Sequence, residues 1–114
     1  MMDIERIELI RIEDVFQITG RGSVLAGCFK GSPEDKRMGM IIGAKMMTKD
    51  ILGNEIEMKA LGLDIMRNHY IDWASAKEFN IGILVDKHIT LELVPRFSPL
   101  FIISDKKRTD SVDD

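Results

Sequence analysis

An all-β domain, closed into a small barrel of six or seven strands, is what this sequence predicts, and three observations predict it. Nine glycines punctuate the 114 residues, at positions 20, 22, 27, 31, 39, 43, 53, 62 and 82. The segments between them are short and rich in Ile, Val, Leu and Phe, the pattern of strands linked by turns. Six or seven strands in about 100 residues escape exposed edges most simply by closing on themselves.

The first strand is "IELIRIEDVFQI", where Ile10, Ile12, Phe16 and Ile18 share one parity and Glu13 and Gln17 take the other. Asp14 interrupts the alternation, so a bulge or change of direction is expected at Glu13-Asp14. "TGRG" (19–22) supplies glycines for a tight reversal. "SVLAGCFKG" returns as the second strand, in which Ala26, Gly27 and Cys28 are small among large neighbours. A glycine inside a strand marks a sharp coil or a close approach by another backbone, which makes Gly27 architectural.

"SPEDK" reads as a turn, and "RMGMIIG" as a compact apolar strand after it. "AKMMTKDILGNE" has no sustained period and reads as a loop, with Met46 and Met47 either a sticky tip or filler folded over a core edge. In "NEIEMKALGLDIM", Ile56, Met58 and Ala60 share a face until the apolar parity shifts to Leu61, Leu63 and Ile65. That shift predicts a long strand that bends near Leu61-Gly62.

"RNHYIDWASAKEFN" holds a short helical turn around "DWASAKEF", with Asp72 as N-cap. "IGILV" is a buried strand, and "HITLELVPRF" is a further strand with Ile89, Leu91 and Leu93 inward against His88, Thr90 and Glu92. "LFIIS" closes the set. The barrel is thus expected over residues 1–104 and a disordered charged tail over 105–114, which has almost nothing to bury.

The composition, 45% hydrophobic and 31% charged, is that of an ordinary globular domain. No apolar run approaches the ~20 residues of a membrane-spanning helix, and the N-terminal apolar positions alternate with charges, so neither anchor nor signal peptide is expected. The single cysteine, Cys28, cannot form an internal disulfide, which fits a reducing compartment, and a cytoplasmic protein is expected. With a formal charge of −3, indiscriminate attraction to phosphate backbones is disfavoured, and any RNA contact must be local.

"RIEDVFQITGRGSVLAGCFKG" resembles the start of the second domain of the elongation factor Tu superfamily of translational GTPases. There an acidic strand end leads through Gly-Arg-Gly into a strand of the form Gly-x-Val-x-x-Gly, with another glycine after it. Gly20, Arg21, Gly22, Val24, Gly27 and Gly31 match that pattern. "FNIGILV" is similar to the family's buried strand Asn-Val-Gly-x-Leu-Leu, through Asn80, Gly82 and Leu84. The two matches cover about half the chain, and the resemblance implies a free-standing β-barrel of the translation-factor second-domain type.

The departures set limits. No phosphate loop of the form G-x-x-x-x-G-K-[ST] occurs, so no GTPase activity carries over. In the family's tRNA-binding members this domain helps hold the aminoacylated acceptor end with a glutamate, an arginine and an asparagine. The resemblance supplies the asparagine as Asn80, but Met66 and His69 stand at the other two positions. Cys28 stands where the family often has arginine. Asn80 also has the plainer role of capping backbone at a strand entry.

No catalytic constellation is legible. Cys28 with His69 or His88 has neither suitable spacing nor an oxyanion loop, Asp64, Asp72 and Glu78 show no paired arrangement, and no short interval suggests a metal site. No enzyme activity, cofactor or metal is expected. The residues that could bind are the basic Arg21, Lys30 and Arg37, and the loop group His69, Tyr70 and Trp73, whose rings could stack on a base or anchor a protein. Asn80 joins them through the resemblance. A solvated loop tip for the basic group and a barrel-end cap for Trp73 are the plainer alternatives.

Two functions follow as expectations. One is a non-catalytic binding module that contacts RNA or a translation-related protein through its loops. The other is a protein-interaction or inhibitor protein, for example a toxin-neutralising immunity protein that uses the barrel as scaffold. Convergence of the basic residues on one surface favours RNA, and an apolar or acidic patch favours a protein. A dimer by strand addition would follow if "RMGMIIG" or "LFIIS" lay unpaired at an edge.

Overall fold

The computed structural model describes residues 4–66, 76–90 and 92–105. Seven strands form one antiparallel sheet: β1 (Ile4–Ile18), β2 (Gly22–Lys30), β3 (Lys45–Lys49), β4 (Glu55–Lys59), β5 (Gly62–Met66), β6 (Glu78–Val85) and β7 (Ser98–Asp105). Their order is β4-β3-β7-β1-β2-β6-β5. The end strands β4 and β5 are consecutive in the chain, separated by Ala60 and Leu61 alone. Three Cα steps span at most about 11 Å, so the two ends of the sheet lie close together. No ladder joins β4 to β5. The sheet is therefore curled, its ends brought together by the covalent chain rather than by hydrogen bonds.

The bulge expected at Glu13-Asp14 is present: Ile12 pairs with Gly27 and Asp14 with Ala26, leaving Glu13 unpaired between them. Its consequence corrects the reading of β1. One extra residue moves every later side chain to the other face, so Ile10, Ile12 and Val15 are buried whereas Phe16 and Ile18 are 48% and 39% exposed. A second register shift, between Glu8 and Ile10 on the β7 side, lets Leu9 and Ile10 both turn into the core. The β1–β2 reversal forms as expected, with Gly20 at φ 78° and the Arg21 N–H donating to the Ile18 carbonyl.

The core is filled by the inward rows of β1, β2, β6 and β7, among them Leu25, Phe29, Ile81, Ile83, Leu100 and Ile102. β6 is the buried strand predicted from "IGILV", lengthened to include Glu78 and Phe79, which the sequence places in a helical turn. The rest of that turn, with Asp72, lies outside the described residues. The single bent strand expected over "NEIEMKALGLDIM" is instead two strands, β4 and β5, parted at Ala60-Leu61 where the bend was placed: the chain leaves β3's side after Lys59, and the Leu61 N–H donates to the Leu84 carbonyl at the start of pairing with β6.

Three elements differ from expectation. "RMGMIIG" is not a strand but a 3-10 turn (Lys36–Met40), because the Asp35 carboxylate accepts from the Arg37 N–H and the Asp35 carbonyl from that of Met38. "AKMMTKDILGNE" is not a loop but contains β3. Its Met46, Met47 and Thr48 are all buried, which erases the alternation that marks a strand. "HITLELVPRF" is not a strand: the Thr90 carbonyl takes the N–H groups of Leu93 and Val94, and the Asp86 carboxylate takes that of His88. Such local bonds compete with a ladder. Ile89 and Val94 are buried all the same, while Leu91 lies outside the described residues.

"LFIIS" lies in β7, paired on both sides by β1 and β3, so it offers no free edge for strand addition. β7 runs through Asp105, one residue past the expected boundary. The remainder of the expected tail lies outside the described residues. Among the described residues no helix is long and apolar enough to cross a membrane.

Candidate functional site

The pairing registers place the outward side chains of β1, β2, β6 and β5 in rows across the sheet. One row runs Phe16, Val24, Leu84, Gly62; the next Asp14, Ala26, Gly82, Asp64; the next Arg11, Cys28, Asn80, Met66. This outer face holds little beyond small and apolar groups at its centre. Its exposed apolar residues lie at the margins: Phe16 and Ile18 on β1, Leu61 and Met66 at β5, with Leu61 53% and Met66 39% exposed. The Met66 methyl lies over Gly82, where an added Cβ would approach it to 3.3 Å.

A groove of about 360 Å³ crosses this face, lined by Ile18, Val24, Leu84 and Gly62 with Arg21 and Asp64 at its rim. A second, of about 450 Å³, continues over the β1–β2 turn past Leu61 to Asp86 and Lys87. The rim thus carries two basic and two acidic groups and no net charge. The Asp86 carboxyl is held below its ordinary range, chiefly by the hydrogen bond from His88, 2.6 Å away.

Beside the lower rows stands Phe97, the one non-glycine residue at positive φ (69°) among the described residues and 62% exposed. Its N–H donates to the Ile12 carbonyl at 2.6 Å. A bulky residue held in the left-handed region costs of order 1–3 kcal/mol, and here the outcome is a phenyl ring kept in solvent. Preceding it, Arg96 reaches the Glu13 carbonyl (3.2 Å) and stands 3.7 Å from the Asp14 carboxylate.

Of the described residues singled out from sequence, Lys30 and Arg37 come together, lining a pocket of about 300 Å³ with Arg11, Cys28 and Phe97, while Arg21 stands apart. Arg21 and Lys30 stand at opposite ends of β2, a nine-residue strand, which at ~3.4 Å per residue separates them by about 30 Å. Lys30 pairs with Glu78 at 2.7 Å in full solvent. Arg37 is committed to the fold: its guanidinium bonds the Asp35 carboxylate, the Lys30 carbonyl (2.8 Å) and the Glu8 carbonyl (3.2 Å), and stacks 4.4 Å above the Phe29 ring. Asn80 is exposed on the outer face between Cys28 and Met66. His69, Tyr70 and Trp73 lie outside the described residues.

Arg37 yields a prediction. Its bonds hold the Asp35 carboxyl down at about 2, against an ordinary 3.8. A depressed carboxyl stabilises the fold above its unfolded value and loses that contribution as pH falls toward the folded one. Acid titration should therefore show stability lost between pH ~4 and ~2. Asp35→Asn should flatten that segment of the curve, as read by thermal melts at stepped pH.

The chemistry on this face is weak. Burial, with the nearby Glu78 charge second, pushes the Cys28 thiol up, away from a reactive thiolate. His88 lies past the far end of β6 from Cys28. Among the described residues no three His, Cys, Asp or Glu side chains gather as metal ligands. Sequence reasoning missed Phe16, Ile18 and Phe97 as surface groups. The first two were hidden by the bulge's parity flip, while the aromatic of "RF" before Ser-Pro offers no period to read. Neither a comparison with protein-family models nor one with curated proteins returns a match.

Proposed function

We propose that this chain is a non-catalytic binding module that docks a protein through the outer face of β1, β2, β6 and β5. The observation that carries the reading is the set of large apolar side chains left in solvent around that face, with a charge-balanced rim. Large apolar side chains left in solvent around one face fit protein contact, whereas nucleic acid calls for converging cations. Lys30 and Arg37 share a pocket with Arg11, but Lys30 is paired with Glu78, Arg37 is bonded to Asp35 and the backbone, and Arg21 stands at the other end of β2, which counts against RNA. The likeness to a translation-factor second domain supports a barrel reading of the curled sheet, with the β4–β5 corner completing the closure. On that reading the barrel is a scaffold for docking.

The test is a pull-down with tagged protein from its own cell lysate, with and without RNase and at low and high salt, using wild type and Phe16→Asp. One RNase-resistant protein that Phe16→Asp fails to retain supports the reading. Recovery of tRNA or ribosomal material that RNase abolishes, with Phe16→Asp unaffected, overturns it.

A further inference from the structure

We propose that Lys45 and Lys59, opposed on the outer face of β3 and β4, form a docking site for an acidic segment of a protein partner, with Ile42 and Leu61 taking that segment's apolar neighbours. This deepens the docking reading above, on which it rests for the partner being a protein, and gives that partner its chemistry. Leu61 also lines the groove over the β1–β2 turn, so the two surfaces adjoin.

The ladder fixes the opposition. Lys45 pairs with Lys59 across β3 and β4. Just beyond the two ends of this ladder, the Asp50 N–H donates to the Asn54 carbonyl and the Ala60 N–H to the Ala44 carbonyl. Hydrogen-bonded pairs of an antiparallel ladder recur at every second rung, which makes Lys45–Lys59 a non-hydrogen-bonded pair, the kind whose Cα atoms come within about 4.5 Å. Like charges directly opposite destabilise a sheet. Neither lysine forms an ion pair among the described residues. Two ammonium groups are thus held together where the fold gains nothing from them.

Space and apolar surface lie beside them. A hollow of about 350 Å³ is lined by both lysines with Gly43, Glu57 and Met58. Glu57 is the only carboxylate in that lining and bonds neither ammonium, so the lining is net positive in a chain whose formal charge is −3. Gly43, at φ 83° in the turn closed by the Ala44 N–H on the Ile41 carbonyl, leaves open space where a side chain would stand. Its N–H donates to the Ala60 carbonyl, which ties that turn to the β4–β5 corner. The residues next to this bond, Ile42 and Leu61, are 67% and 53% exposed. Two cations beside two aliphatic groups match a segment in which carboxylates adjoin apolar residues. A nucleic acid would meet only two cations here and no aromatic ring to stack on.

The probe is a short capped peptide, Glu-Glu-Leu-Leu, followed through the amide nitrogen–proton correlation spectrum of the full chain. Shifts should gather on residues 42–45 and 57–61 and saturate in the roughly millimolar range that exposed ion pairs allow. The Gln-Gln-Leu-Leu peptide should bind at least about fivefold more weakly, and the shifts should shrink as salt rises. Lys45→Glu places a carboxylate opposite Lys59. Peptide binding should then fall at least about fivefold, while the melting temperature rises by about 1–5 °C.

Shifts that scatter over the molecule, or that Gln-Gln-Leu-Leu reproduces, overturn the proposal. So does a Lys45→Glu protein that melts below wild type, since the opposed lysines then serve the fold. If the peptide fails while the pull-down still retains a protein that Phe16→Asp loses, the docking reading stands and this partner chemistry falls. Peptide binding at the lysines with an empty pull-down keeps the lysine site and removes the docking reading.

Discussion

Gly27→Ala should cost this protein about 3 kcal/mol or more of stability, enough to unfold much of it, since domains of this size hold only about 5–15 kcal/mol. A Cβ on residue 27 would sit 2.3 Å from the Arg11 carbonyl oxygen, with the Ile10 side chain at 3.0 and 3.2 Å. The closest obstacle is backbone, and that backbone is held by β1's pairing with both β2 and β7. Residue 27 faces Ile12 immediately before the bulged Glu13, where β1 kinks onto β2. Relief would require parting the central ladder. Urea denaturation of the two proteins reads the difference, and Gly62→Ala serves as control. Its Cβ meets ordinary contacts, and its unfolded chain loses freedom, so its stability should be equal or higher by up to about 1 kcal/mol. Equal effects at the two glycines would contradict the close approach described for Gly27.

Phe29→Ala should cost about 3–5 kcal/mol. The ring is fully buried at the end of β2, its centroid 5.3 Å from that of Phe79 at a tilt of 47°, with the Arg37 guanidinium over its face. Truncation opens a cavity at the core and also removes the platform on which Arg37 lies. That coupling is measurable. In a double-mutant cycle of Phe29→Leu with Arg37→Met, an interaction energy of about 0.5–2 kcal/mol is expected between the sites. Additive losses would mean that the guanidinium is held by Asp35 and the two carbonyls alone. The arginine looks from sequence like a solvated or RNA-facing cation. It is instead a strap tying the 3-10 turn to Glu8 within β1 and to Lys30 at the end of β2.

The outer face and the strap share a lesson about where exposed groups come from. Chemistry-bearing residue types draw attention in a sequence, yet here Arg37 and Lys30 are spent on internal or local partners. The surface that remains available is built from residues that read as core. Ile18, Phe16 and Leu61 have the composition of an interior, and only their position around a bulge and a corner turns them outward. Left in solvent, they are apolar area that the fold itself does not bury.

The residues alone were enough for the all-β class, the β1–β2 reversal at Gly20, the bulge at Glu13-Asp14, the close approach at Gly27, the buried run of β6 and the place after Ala60 where the chain changes course, though not its division there into two strands. Each of these is a local consequence of glycine geometry or period-two alternation, which operate over a few residues. The chain could not by itself reveal β3, whose Met46, Met47 and Thr48 are covered on both faces, nor the turns over residues 36–40 and 86–94, where Asp35, Asp86 and Thr90 draw the backbone away from a ladder. Nor could it show which side of the bulge faces the core, because a one-residue insertion leaves composition unchanged while inverting every later side chain. Register, and with it the exposure of Phe16 and Ile18, is decided by which residues of β1 and β2 pair on either side of the bulge. It therefore exists only once the sheet is assembled.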